Sequence, residues 1–113
     1  VEIVTQSEAL LVGNWNLDDD KHQILNEMLF RFEAVRSAVD KKYVMMNVPK
    51  ANLNEIVEVL PGIKSPTIIP LADDQWCSIH TVLDEKRFWG IIGKLKELGA
   101  QGILVTPIEK MIL

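Results

Sequence analysis

The sequence predicts an α+β fold, a long helix leading into a four-stranded antiparallel sheet that carries two helices on one face. Three observations predict it. Between residues 18 and 41 apolar side chains recur at three- and four-residue steps, the period of a helix. From residue 42 onward, strand-like and helix-like segments follow one another in the order βαββαβ. Turn and cap residues separate these segments.

The first residues hold two short apolar runs. Val1-Glu2-Ile3-Val4 reads as a strand, and Ala9-Leu10-Leu11-Val12 as a strand or a helix. Gly13-Asn14-Trp15-Asn16 is turn-rich. Asp18, Asp19 and Asp20 suit a helix start, where free N–H groups and the dipole favour negative charge. The competing reading is a metal cluster, and no second carboxylate group stands at a useful spacing. Leu25, Met28, Leu29, Phe32, Val35 and Val39 then form one apolar stripe, while His22, Glu27, Arg31, Glu33 and Arg36 cover the rest. A helix of roughly 20 residues spans about 30 Å. That is long for so small a domain and fits a connector or a contact between copies.

Tyr43-Val44-Met45-Met46-Asn47-Val48 is the first strand of the sheet, closed by Pro49. Asn52 and Glu55 have the spacing of a capping box, and Ile56, Val57 and Leu60 give that short helix its apolar face. Pro61-Gly62 stops it. Thr67-Ile68-Ile69-Pro70-Leu71 is the second strand, and Asp73-Asp74 makes the turn into a third, alternating strand over residues 76–83. Asp84 caps a helix over residues 85–98, with Gly99 placed as its C′ residue. Residues 101–106 form the last strand, and Pro107 ends it. This order is the ferredoxin-like plait.

The strands also say what surrounds them. A sheet with one wet face alternates apolar and polar residues. Val44-Met45-Met46 and Ile103-Leu104-Val105 are apolar on both faces. Two helices cover only one face, so the other needs a different cover, most simply another copy of the chain. The alternative is that the N-terminal segment folds back over it.

Composition narrows the function. A chain of 113 residues holds one domain and excludes a catalytic core of several hundred. Lys and Arg total 12 and Asp and Glu 16, and the net charge of -4 gives no long-range attraction for nucleic acid or an anionic membrane. No apolar run reaches the roughly 20 residues a membrane helix needs. The first four residues lack the basic flank of a signal peptide. Cys77 is the single cysteine, so no intrachain disulfide is expected and a cytoplasmic setting is. The chain opens without Met and in mid-pattern, as a piece of something longer would.

Few residues point to chemistry. The phosphate-cradle patterns GxGxxG and GxxxxGK(S/T) are absent, as are HExxH and CxxC. His22 and His80 lie far apart without clustered partners, so no metal site is expected. His80 reads as a satisfied structural residue and Cys77 as a buried, inert thiol. Trp76, Phe88 and Trp89 read as core packing, since the acidic balance disfavours base stacking. The segment Leu60-Pro61-Gly62-Ile63-Lys64-Ser65-Pro66-Thr67 stands out. Two prolines stiffen it, and it presents two hydroxyls and an ammonium, which suits a small polar ligand or serves as a plain connector. Gly99-Ala100-Gln101-Gly102 offers close approach to the backbone.

Leu60-Pro61-Gly62-Ile63-Lys64-Ser65-Pro66-Thr67-Ile68-Ile69-Pro70-Leu71-Ala72 resembles the C-terminal regulatory domain of long-form ATP phosphoribosyltransferases. So do Phe88-Trp89, Leu95-Lys96, Gly99-Ala100-Gln101-Gly102-Ile103-Leu104-Val105 and Pro107-Ile108-Glu109-Lys110-Met111. The resemblance runs over residues 42–112. It implies the same plait and a place in the first step of histidine biosynthesis. There, ATP and phosphoribosyl pyrophosphate give phosphoribosyl-ATP and pyrophosphate, with magnesium. It implies three segments: 1–17 as the tail of a preceding catalytic region and a turn, 18–41 as a connector helix, and 42–113 as the regulatory domain. The family's phosphoribosyl-binding loop has no counterpart here, so neither a catalytic site nor a cofactor is expected in this chain.

The resemblance also implies a binding site for L-histidine, the feedback effector, between adjacent regulatory domains of a homo-oligomer, a trimer or hexamer joined through sheet faces. Asn47 matches a polar position that in relatives can be an acid; the amide hydrogen-bonds but supplies no countercharge. Ser65 and Thr67 match loop positions that contact the effector. Ile63 and Val82 match apolar walls, and Gly102 matches a small residue whose backbone lies against the ligand. No nucleic acid or membrane partner is expected. The alternative function is a purely architectural module that drives assembly without binding an effector.

Overall fold

A computed structural model describes residues 7–61 and 65–113. The strand expected at residues 1–4 and the candidate wall residue Ile63 lie outside them. The chain divides into two units, Val1–Arg31 and Phe32–Leu113, with the division falling inside helix α1 (Asp19–Ala38).

In the first unit, residues 9–12 form neither strand nor helix, and Leu10, Leu11, Val12 and Trp15 are exposed. The run has no partner surface among the described residues of this unit, and apolar character alone does not order a backbone. The acidic triplet does start a helix. Asp18 is the N-cap: its Oδ1 accepts from the Lys21 amide at 2.9 Å, and its carbonyl accepts from the His22 amide. Asp19 and Asp20 occupy the first turn.

The apolar stripe of α1 is largely uncovered. Leu25 is half-buried, but Met28, Leu29, Phe32, Val35 and Val39 are exposed, as are Ile24 and Phe30. The residues of α1 that are buried are Ala34 and Ala38. They lie one turn apart, and their small side chains leave room for the C-terminal segment, whose Met111 amide donates to the Ala34 carbonyl at 2.8 Å.

The second unit is built on strands β1 (Lys41–Pro49), β2 (Thr67–Pro70), β3 (Trp76–Asp84) and β4 (Gln101–Pro107), in the spatial order β2-β3-β1-β4. Every neighbouring pair is antiparallel. Helices α2 (Leu53–Val59) and α3 (Glu85–Glu97) connect β1 to β2 and β3 to β4. This is the expected ferredoxin-like plait. Val44, Met46 and Val48 on β1, with Cys77, Ile79 and Leu83 on β3, point toward the helices. They pack with Ile56 and Leu60 beneath α2, and with Phe88, Leu95, Leu98 and Ala100 along and after α3. Cys77 is 1% exposed and sits among these apolar side chains as expected.

Two caps differ from expectation. Asn52 precedes α2, but its side chain makes no cap bond there. A short 3-10 turn at Lys50–Asn52 leads into α2 and places the Leu53 amide on the Lys50 carbonyl. The Asn52 side chain is thereby free to donate to the Leu98 carbonyl at 2.8 Å, at the far end of α3. Asp84 likewise does not cap α3 with its side chain; it pairs with Lys41 across the sheet. The Asp40 carbonyl accepts from the Glu85 amide at 2.9 Å instead.

The C-terminus of α3 is as the sequence reads. Gly99 has φ +96°, the Ala100 amide donates to the Leu95 carbonyl, and the Gly99 amide donates to the Lys96 carbonyl, a Schellman motif. Asn52 thus ties the two helices together. Asn52→Ala removes the partner of a largely buried carbonyl and costs about 1–2 kcal/mol. A lowered urea midpoint with an unchanged m-value is the expected result.

Candidate functional site

The period of two along each strand sends alternate residues to the face opposite the helices. On β3 these are Trp76, Ser78, His80, Val82 and Asp84, all half-buried. The register sets Asn47 beside Ser78, Met45 beside His80, and Tyr43 beside Val82. Thr67 lies beside His80 on the other side, and Leu104 beside Met45. The face is therefore mixed. Met45, Val82, Ile69 and Leu104 are apolar, and Tyr43, Asn47, Thr67, Ser78 and His80 are polar.

His80 is the hub of the polar group. A 2.8 Å hydrogen bond joins its Nδ1 to the Tyr43 hydroxyl, and a 3.0 Å bond joins its Nε2 to the Ser78 hydroxyl. The Tyr43 and His80 rings meet edge-on at 5.8 Å. Both hydroxyls can donate or accept, so either tautomer of the ring is satisfied. The structural reading of His80 holds.

Asn47 and Gly102 meet at one end of this face. The pairing of β1 with β4 shifts between Met45 and Asn47, and Asn47 lies opposite Gln101. Gly102, with φ +57°, occupies the irregularity. A Cβ added there would stand 3.8 Å from the Asn47 amide nitrogen, so backbone and amide are near neighbours. Asn47, Thr67, Val82 and Gly102 thus belong to one sheet. The side chains of the first three share its helix-free face. Ser65 is exposed just before β2. Tyr43 and Ser78 were not singled out from the sequence. The alternation of β3 places Ser78 with His80, but Tyr43 joins them only through the β1–β3 register.

This face has donors, acceptors and apolar patches but no carboxylate, lysine or arginine at its centre. Such a surface suits a small polar ligand held by hydrogen bonds, with its remaining sides covered by something other than this chain. Among the described residues no three His, Cys, Asp or Glu side chains stand together as a metal site.

Residues 38–110 match the family model described as HisG, C-terminal domain. The chain belongs to the HisG C-terminal domain family. Its plait is the family's fold in this sequence. The chain is also similar over its whole length to proteins named ATP phosphoribosyltransferase. Identity is 69% with that of Phocaeicola vulgatus and 68% with that of Bacteroides thetaiotaomicron, in each case over 100% of this chain and 40% of the relative. With that of Cytophaga hutchinsonii it is 49% over 98% of this chain and 39% of the relative. The chain thus spans about two fifths of the length of these relatives.

Away from the outer face, Trp89 departs from expectation. It is 66% exposed, whereas Phe88 beside it is buried. The two neighbours on α3 point in different directions, and only Phe88 faces the sheet core. Trp89 instead lines a groove of about 590 Å³ between α3 and β4.

Proposed function

We propose that this chain is the regulatory part of an ATP phosphoribosyltransferase, and that it binds L-histidine on the helix-free face of its sheet. The observation that carries the reading is its 69% identity, across every residue, with a protein of that name. The arrangement of Asn47, Thr67, Val82 and Gly102 on one sheet supports it. In the whole enzyme, ATP and phosphoribosyl pyrophosphate combine in the first step of histidine biosynthesis, in the cytoplasm and with magnesium. The catalytic groups and the magnesium site belong to residues other than these.

Histidine suits the face chemically. Its ammonium and imidazole donate to Asn47 Oδ1 and the hydroxyls of Ser65 and Thr67, and Val82 supplies an apolar wall. The backbone at Gly102 admits close approach. Neutral Asn47 makes the contact a plain hydrogen bond rather than an ion pair. A second copy covering Met45 and Leu104 completes the pocket, so binding and assembly are linked. Feedback then follows from histidine favouring one arrangement of the assembly over another. The domain boundaries accord with this role, with 1–17 and 18–41 as the approach to a regulatory domain over 42–113.

Calorimetry with L-histidine on the assembled protein tests the reading. Saturable heat, reduced at least about tenfold in affinity by Thr67→Ala together with Asn47→Ala, is expected for the loss of two to three hydrogen bonds. No heat at millimolar histidine refutes it, and leaves the purely architectural module.

A further inference from the structure

The contacts proposed for histidine leave one of its charges without a partner. Asn47 Oδ1 and the hydroxyls of Ser65 and Thr67 accept from its ammonium and imidazole. In that set nothing donates to its α-carboxylate. Among the described residues no lysine or arginine stands at the centre of the helix-free face. The donor this face offers is therefore a neutral one, and a hydrogen bond to a carboxylate is stronger than one between neutral groups.

Tyr43, His80 and Ser78 are placed to supply it. Ser78 is half-buried and directly opposite Asn47, so the two side chains leave the sheet as neighbours, about 5 Å apart at Cβ. Thr67 is opposite His80 on the other side. The group thus lies between the strands that carry the proposed contacts. Tyr43 reaches His80 diagonally across β1 and β3, and the two rings meet at 87°, which fixes the imidazole plane. Each ring nitrogen has one hydroxyl, Tyr43 at 2.8 Å from Nδ1 and Ser78 at 3.0 Å from Nε2.

The two hydroxyls differ in acidity. A phenol is a stronger hydrogen-bond donor than an alkyl hydroxyl, and the neutral ring offers one acceptor and one N–H. The arrangement that uses them best has the Tyr43 hydroxyl donate to Nδ1 and the Nε2–H donate to Ser78 Oγ. The lengths agree, since an O–H donor makes a shorter bond than an N–H donor. Ser78 Oγ is then occupied as an acceptor, and its own proton turns to the open face. Each bond in such a chain polarises the next. We infer that Ser78 donates to the α-carboxylate of the bound amino acid, and that His80, backed by Tyr43, is the positioning residue that keeps the Ser78 hydroxyl aimed outward. The inference rests on the proposed histidine site and adds the group that recognises the carboxylate. It makes the face selective for an α-amino acid over an amine that lacks the carboxylate.

Calorimetry on the assembled protein tests it with two probes, L-histidine and L-histidinol. The second keeps the ammonium and the imidazole but carries a hydroxymethyl group in place of the carboxylate. Ser78→Ala is expected to weaken L-histidine by about ten- to a hundredfold and L-histidinol by less than about twofold. His80→Leu removes the partner of Ser78 and is expected to lose L-histidine affinity in the same way. His80→Gln keeps most of it, because the Gln amide still donates to Ser78 Oγ. A merely structural role separates neither the two probes nor the two His80 variants. Circular dichroism and native mass measurement check that each variant is folded and assembled. Tyr43→Phe keeps the ring packing and releases Nδ1, and a smaller loss of about two- to fivefold, confined to L-histidine, is expected. Ser78→Ala that binds L-histidine like the parent, or that weakens both probes equally, overturns the inference and leaves the histidine site standing. So does His80→Gln no better than His80→Leu. No heat from either probe with the parent protein overturns the site itself, and the inference with it.

Discussion

With a second copy on the helix-free face, as proposed, Met45→Asp leaves the chain folded and breaks that assembly. Met45 is half-buried at the centre of that face, between His80 on β3 and Leu104 on β4. In the isolated chain a carboxylate there keeps access to water. Under a second copy it becomes a buried, unpaired charge, which costs several kcal/mol per site. Repeated around a symmetric assembly, that cost exceeds what an interface of ordinary size supplies. The expected result is a smaller species by native mass measurement, an unchanged circular dichroism spectrum, and loss of histidine heat. Assembly at the parent mass shows that the face is covered by something else.

Gly99→Ala carries the largest expected loss of stability. At φ +96° an L-residue costs about 1–2 kcal/mol. The added Cβ also stands 2.9 Å from Pro49 Cγ, and the proline ring cannot swing aside. Overlap with a rigid neighbour adds about 1–3 kcal/mol. The sum is about 2–5 kcal/mol, a large part of a small domain's stability. A lower thermal midpoint checks it. A variant as stable as the parent contradicts the close approach of the α3–β4 turn to the end of β1.

The plait was legible in the sequence because its signals were local. Pro49, Gly99 and Pro107 mark ends of elements, and the alternation from Trp76 to Asp84 marks β3 and both of its faces. Asn52 was misread because one side chain has two possible partners. Local spacing pointed to its own helix, while folding brought the Leu98 carbonyl within reach. Trp89 was misread because an aromatic residue beside a core Phe88 looks like core, and only the direction of α3 separates them. The stripe on α1 was visible as a pattern, but no pattern says what covers it.

The candidate site was legible only in part. Asn47, Thr67 and Val82 fall on one face by strand periodicity, once the register is known. The contact between Asn47 and Gly102 depends on the shifted pairing of β1 and β4, which no short motif announces. The Tyr43–His80–Ser78 group depends on register in the same way.

Hydrogen exchange followed by mass spectrometry, with and without L-histidine, tests the central claim most directly, because it reports where the ligand acts. The account predicts slower exchange in peptides that contain Asn47, Ser65 to Thr67, and Gln101 to Gly102, with no change along α3. Exchange unaltered throughout at saturating histidine, or altered only along α3, contradicts it.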